Sequence, residues 1–171
     1  MSRIQQLKDN PSLRKETFES LHKPDDVCNC IGEATYLQGL YDFSRPVYVS
    51  TLVGEKMLES ICEPVTQEDA DFVAFFHQYP RVDRFGKDKE LYHLAIMTDS
   101  GKMFGYEFNG SKYQEDAVEE FHRKIIDWTR FDISVEFYKI KEKVKFPLYE
   151  NTISEHIALG ILKENDISGK D

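Results

Sequence analysis

Apolar residues along this chain follow the 3.6-residue period of a helix in some stretches and the two-residue period of a strand in others. Asn10-Pro11 reads as an N-cap followed by proline at the first helical position, with Leu13, Phe18 and Leu21 as a loose apolar stripe behind it. That helix should stop before Pro24. A second helix is predicted from about Asn29 to Tyr41, because Asn29 can cap it and Cys30, Ala34, Leu37 and Tyr41 share a face. Pro46 to Thr51 has the alternation of a short strand, and Gly54 to Ile61 reads as a helical turn or two. Phe72-Val73-Ala74-Phe75-Phe76, within Asp71 to Gln78, is too apolar on both faces for anything but a buried strand.

Residues 80–90 are rich in charge and interrupted by proline and glycine, so they read as a loop. Leu91 to Thr98 and Lys102 to Asn109 flank Asp99-Ser100-Gly101, the pattern of a β-hairpin. Tyr113 to Trp128 predicts an amphipathic helix with Ala117, Phe121, Ile125 and Trp128 on one stripe. Ile133 to Ile140 is a strand, and Asn151 to Leu162 a final helix with Ile153, Ile157 and Ile161 inward. Helices, then mostly antiparallel strands, then a covering helix make the expected class α+β.

Composition narrows the function. The 171 residues suit one domain, and 22 basic against 31 acidic side chains leave a formal charge of −9. A general nucleic-acid or anionic-membrane binder needs a basic surface to release counterions, so neither is expected as a partner. No apolar run approaches a membrane span and no signal peptide opens the chain, so a reducing cytosol is the expected compartment, with signal-independent export left open. Three cysteines, Cys28, Cys30 and Cys62, do not suit a disulfide framework.

One thiol stands out by position. Cys30 opens a helix, where unpaired backbone N–H groups and the macrodipole favour thiolate, the nucleophilic form. Gly32 would let another chain or a substrate approach that helix end closely. The commoner fate of such a cysteine is a small buried hydrophobe. Of the five histidines, His22, His77, His122 and His156 sit at element ends or on helix surfaces, whereas His93 opens a strand that can hold its ring rigidly against a helix. With a three-residue hairpin loop, paired positions sum to 200 and Glu107 lies opposite His93, close enough to orient an imidazole. Asn109 is the alternative orienter. Cys30, His93 and Glu107 then supply nucleophile, base and orienter.

These elements, in this order, resemble NlpC/P60-type papain-like cysteine hydrolases. Asn29-Cys30-Ile31-Gly32 is similar to the family's cysteine motif, Asp69 to Phe76 to its aspartate-bearing strand entry, and His93 to Phe104 to its histidine strand and glycine turn. The likeness covers roughly residues 25–140. Ile31 replaces the usual serine, and Gly105 stands where the polar third member usually falls. The resemblance implies a papain-like core with the cysteine helix packed on the sheet. It also implies a peptide-like or acyl substrate, no cofactor and no metal.

The expected organisation is a helical extension over residues 1–24, a core over 25–140, and a C-terminal helix and tail over 141–171. Zinc held by the three cysteines and a histidine is disfavoured, since C-x-C is too tight a bite. The competing reading is a non-enzymatic acidic protein that neutralises a basic protein partner, such as an inhibitor or immunity protein. Arg81, Arg84, Lys87 and Lys89 of the 80–90 loop could border a cleft and meet an anionic group.

Overall fold

The fold is built around a strand that is apolar on both sides. In the computed structural model, which describes residues 3–21, 28–41, 43, 45–106 and 113–141, β2 (Phe72–Gln78) is the third of six strands. Both of its faces are covered because its side chains alternate between two cores. Phe72, Ala74 and Phe76 enter one cluster, and Val73 and Phe75 enter the other.

The sheet runs β1-β6-β2-β3-β4-β5, with β1 (Cys62–Pro64), β3 (Lys89–Met97), β4 (Lys102–Tyr106), β5 (Tyr113–Ala117) and β6 (Ile133–Ile140). Every neighbouring pair is antiparallel. On one face lie α1 (Arg3–Asp9), α2 (Pro11–Leu21), α3 (Cys30–Leu37) and α4 (Thr51–Ile61), through Leu7, Leu13, Ile31, Ala34, Met57 and Leu58. On the other face α5 (Val118–Thr129) lays down Val118, Phe121 and Ile125. This is the α+β class that the periodicity predicts, in three layers.

Several local expectations shift. Residues 46–50 run extended without joining the sheet, so the strand expected at Pro46 to Thr51 is absent. Ser50 there caps α4, accepting from the Val53 N–H at 3.3 Å. Tyr113 to Ala117 pairs with β4 as an edge strand, and the helix begins only at Val118. Trp128, expected inward, is 59% exposed. The α1 helix and strand β1 carry too few apolar positions for their period to be read. The expected final helix at Asn151 to Leu162 lies outside the described residues.

The first two helices are integral to the fold. Arg14 is 3% exposed; its guanidinium is paired with Glu115 of β5, and its Nη1 donates to the carbonyl of Leu7 at 2.9 Å. Tyr113 donates to the same carboxylate, and Phe18 packs its ring on Tyr106 and Tyr113 at 5.7 and 5.4 Å. Among the described residues no helix is long and apolar enough to cross a membrane.

Candidate active site

The start of α3 is tied down by one residue acting twice. Asn29, in an extended conformation, caps the helix by accepting from the Gly32 N–H at 2.9 Å. The same Oδ1 accepts from the Val49 N–H at 3.1 Å, while Nδ2 donates to the Val49 carbonyl at 2.7 Å. Segment 46–50 is thereby clamped across the helix end. Gly32 is required by that crossing: a Cβ there would stand 1.7 Å from the Val47 carbonyl oxygen. Tyr41 closes the junction, donating to the Gly32 carbonyl at 2.6 Å and accepting from the Val47 N–H at 3.2 Å. The chain that approaches the helix end is therefore the protein's own.

Cys30 is half-buried as a residue and packs against the α3–α4 core. Burial of the thiol, helped by the nearby Glu33 side chain, pushes it up to about 11. Opposing this, the nearby main-chain N–H groups of Leu94, Ile31 and Cys30 itself favour thiolate. The donors of a nucleophile site are present, but burial outweighs them, so the thiol is protonated at neutral pH. Cys28 is half-buried and donates to the Asn29 carbonyl at 3.4 Å. Cys62 is buried beside Met57, and burial, with the nearby Asp71 carboxylate, pushes its thiol up to about 12.

His93 stands with the other core. It lies directly across from Phe75, and its ring sits 6.0 Å from that of Phe75 and 4.8 Å from that of Phe121 of α5. It is fully buried, and burial alone lowers its pKa to about 3, so the imidazole is neutral. The strand does hold the ring against a helix, as expected, but the helix is α5 and not α3. Cys30 and His93 thus face opposite sides of the sheet, and the expected nucleophile–base pair is not assembled in this conformation. Backbone proximity nevertheless links them, since an N–H that favours the Cys30 thiolate belongs to Leu94, the residue after His93.

The expected hairpin register is met where it can be read. Ile96 pairs with Phe104 and Met97 with Met103, and the Thr98 N–H donates to the Lys102 carbonyl at 2.8 Å. Glu107 and Asn109, the two expected orienters, lie outside the described residues. Tyr92 was not singled out by the sequence. Its phenol is pushed up by burial and by the charge of Cys30, so it belongs to the neighbourhood of the thiol. Nothing in the sequence marked it, because Leu91 and Leu94, three apart inside the strand, are seen to join one core only in the folded chain.

The other candidate side chains are committed elsewhere. Of the loop cations, Lys87 and Lys89 do border a cleft, of about 350 Å³, but there they pair with Glu55 at 2.7 Å and Glu136 at 2.9 Å; Arg84 lies over its neighbour Phe85 at 4.8 Å, and Arg81 is exposed. His122, expected on the surface, bonds the Ile133 carbonyl at 2.5 Å and ties α5 to β6. His77 stacks on Phe131 at 3.9 Å. Among the described residues no three His, Cys, Asp or Glu side chains gather in a metal-binding arrangement. A separate cleft of about 680 Å³ at the hairpin end is lined by Glu68, Asp69, Asp71 and Asp99, with Lys8 and Lys139. Comparison with known proteins adds nothing to this picture: no family model, no curated protein and no solved structure matches the chain.

Proposed function

We propose that this protein is a cysteine hydrolase on an NlpC/P60-type papain-like core, cleaving an amide, isopeptide or ester bond with Cys30 as nucleophile. The observation that carries the reading is the seating of Cys30 at the capped start of α3, where the nearby main-chain N–H groups of Leu94, Ile31 and Cys30 each favour its thiolate. A thiol that serves packing alone gains little from such donors, whereas a thiolate, and later an oxyanion, is stabilised by them. The chain order supports the same reading: a capped cysteine helix, a buried strand, then the histidine strand and its hairpin. The proposed compartment is the reducing cytosol, in keeping with three free thiols.

In the reaction His93 takes the Cys30 thiol proton as the sulfur attacks the substrate carbonyl, with the Cys30 N–H donating to the resulting oxyanion. Collapse expels the amine or alcohol, which takes a proton from His93. Water, deprotonated by His93, then cleaves the thioester and frees the acid. With His93 on the far face and the thiol protonated, the conformation described is the resting one.

The test is acyl transfer from p-nitrophenyl acetate, followed by peptide mapping in a mass spectrometer. An adduct confined to Cys30, absent in Cys30→Ala and at least 100-fold slower to form in His93→Ala, is expected. Equal adducts on Cys28 and Cys30, indifferent to His93→Ala, would overturn the reading.

A second reading, an acidic protein that captures a basic partner, draws on the hairpin-end cleft. At its edge the nearby Asp9 carboxylate raises the proton affinity of Asp99, against the opposing pull of Lys8 and Gln5, a like-charge proximity that an incoming cation would relieve. Salt-sensitive binding of an oligolysine peptide, weakened by Asp99→Asn, is the expected sign. Unchanged binding in that variant would sink it.

A further inference from the structure

The β2–β3 ladder contains one discontinuity, and it falls at His93. Phe72, Val73, Ala74 and Phe75 pair with Ile96, Ala95, Leu94 and His93, but the next residue, Phe76, pairs with Leu91. Tyr92 is the extra residue. Tyr92 and His93 therefore both stand opposite Phe75, a bulge whose two side chains share a face. Leu91 and Leu94 enter the α3–α4 core on either side of it.

We propose that this bulge is a sliding switch: moving it one residue along β2, from Phe75 to Ala74, carries the His93 side chain from the α5 face to the α3 face, beside Cys30. The register arithmetic makes the move selective. In the shifted ladder Tyr92 pairs with Phe75 and keeps its face, and His93 and Leu94 both stand opposite Ala74. Leu91, Ala95 and Ile96 keep the partners they have. One side chain changes sides because side-chain direction alternates with every residue of register.

Three features of the structure suit the move. The residue that would receive the bulge is alanine, the smallest side chain along β2. Within the described residues β3 pairs with β4 only at Ile96 and Met97, beyond the segment that slides, so β2 alone must exchange hydrogen bonds. The Leu94 N–H lies near enough to the Cys30 sulfur to favour its thiolate, and it is about 2.4 Å along the backbone from the His93 Cα. A His93 ring on that face is within a side chain's length of the thiol. The inference rests on the nucleophile reading of Cys30 for its purpose, and on the ladder alone for its geometry.

Two single-residue deletions lock the two states. Deleting Tyr92 removes the bulge and holds His93 opposite Phe75; deleting Leu94 removes it and holds His93 opposite Ala74. At pH 7.5 the Leu94 deletion should raise the rate of Cys30 alkylation by iodoacetamide at least tenfold over the intact chain, and adding His93→Gln should cancel the gain. The Tyr92 deletion should not exceed the intact chain. Should either deletion fail to fold, ¹⁵N relaxation dispersion on the intact chain decides the matter, since ladder shifts of this kind fall in the μs–ms range. Exchange at Phe75 and Tyr92 through Leu94 is expected. Flat dispersion there overturns the switch, even if acyl transfer to Cys30 stands. Exchange with alkylation indifferent to His93→Gln keeps the switch and overturns the nucleophile reading instead.

Discussion

His93 is a neutral imidazole between phenylalanine rings, and that has a consequence for stability. In the unfolded chain it takes a proton near its ordinary value of about 6.5; in the folded protein it does so only near 3. Between those values the unfolded state binds more protons, so stability falls as the pH drops through that window and is fully present above it. The loss from this group is on the order of 1 kcal/mol per pH unit within the window. Urea denaturation from pH 7 to pH 4 should show a shallower decline in His93→Leu than in the native chain. A parallel decline would mean that the ring is protonated in place. Gly32 is as sharp a case on steric grounds, with the Val47 carbonyl where a Cβ would go. Gly32→Ala should destabilise by about 3 kcal/mol, the upper end for an overpacked site, and a loss under 0.5 kcal/mol would show that segment 46–50 yields.

At the scale of elements, the junction of α3 with segment 46–50 turns on Asn29. Its side chain makes three hydrogen bonds, one capping the helix and two clamping Val49. Asn29→Ala removes all three, whereas Asn29→Asp keeps the cap and loses only the amide donor. The alanine variant should cost about 2 kcal/mol or more, and the aspartate roughly half of that. The same comparison should appear in the thiol: loosening the clamp admits water to Cys30, and its alkylation should quicken in the order native, Asp, Ala. Identical rates would mean that the segment does not shield the sulfur. The cap, the glycine and the cysteine are all readable in Asn29-Cys30-Ile31-Gly32, because a helix start is a local event. What presses against the glycine was not readable, since residue 47 meets residue 32 only after the chain has turned back. The register of β3 and β4 was equally legible from its loop, whereas the bulge opposite Phe75 breaks the alternation by which faces are assigned. That one extra residue puts Tyr92 beside His93 on the α5 face.

Across the whole molecule the N-terminal helices are bound into the sheet by a buried guanidinium. Burial opposes the charge of Arg14, but its bonds to Glu115 and Tyr113 prevail and raise its affinity for its proton, while Glu115 is held below the usual carboxylate range by those two partners despite its own burial. Removing one member of a buried pair leaves the other charge uncompensated, so Arg14→Ala should cost about 3–5 kcal/mol. A chain lacking residues 1–21 would uncover Tyr106, Tyr113 and part of the α1–α4 core, and should not show a cooperative melt. Cooperative melting of that truncated chain would show that the first two helices are dispensable to the core.

The sequence by itself determined the α+β class, the doubly buried β2, the β3–β4 hairpin and its register, and the capped helix opening at Cys30. Each of these is a matter of local period, cap or turn chemistry, in which neighbours along the chain carry the information. Only the tertiary structure decided which core each residue joins. It set Cys30 on the α3–α4 side and His93 on the α5 side, folded the first two helices onto β5, and laid residue 47 against Gly32. These outcomes depend on pairings between distant strands, where a displacement of one residue turns a side chain from one core to the other.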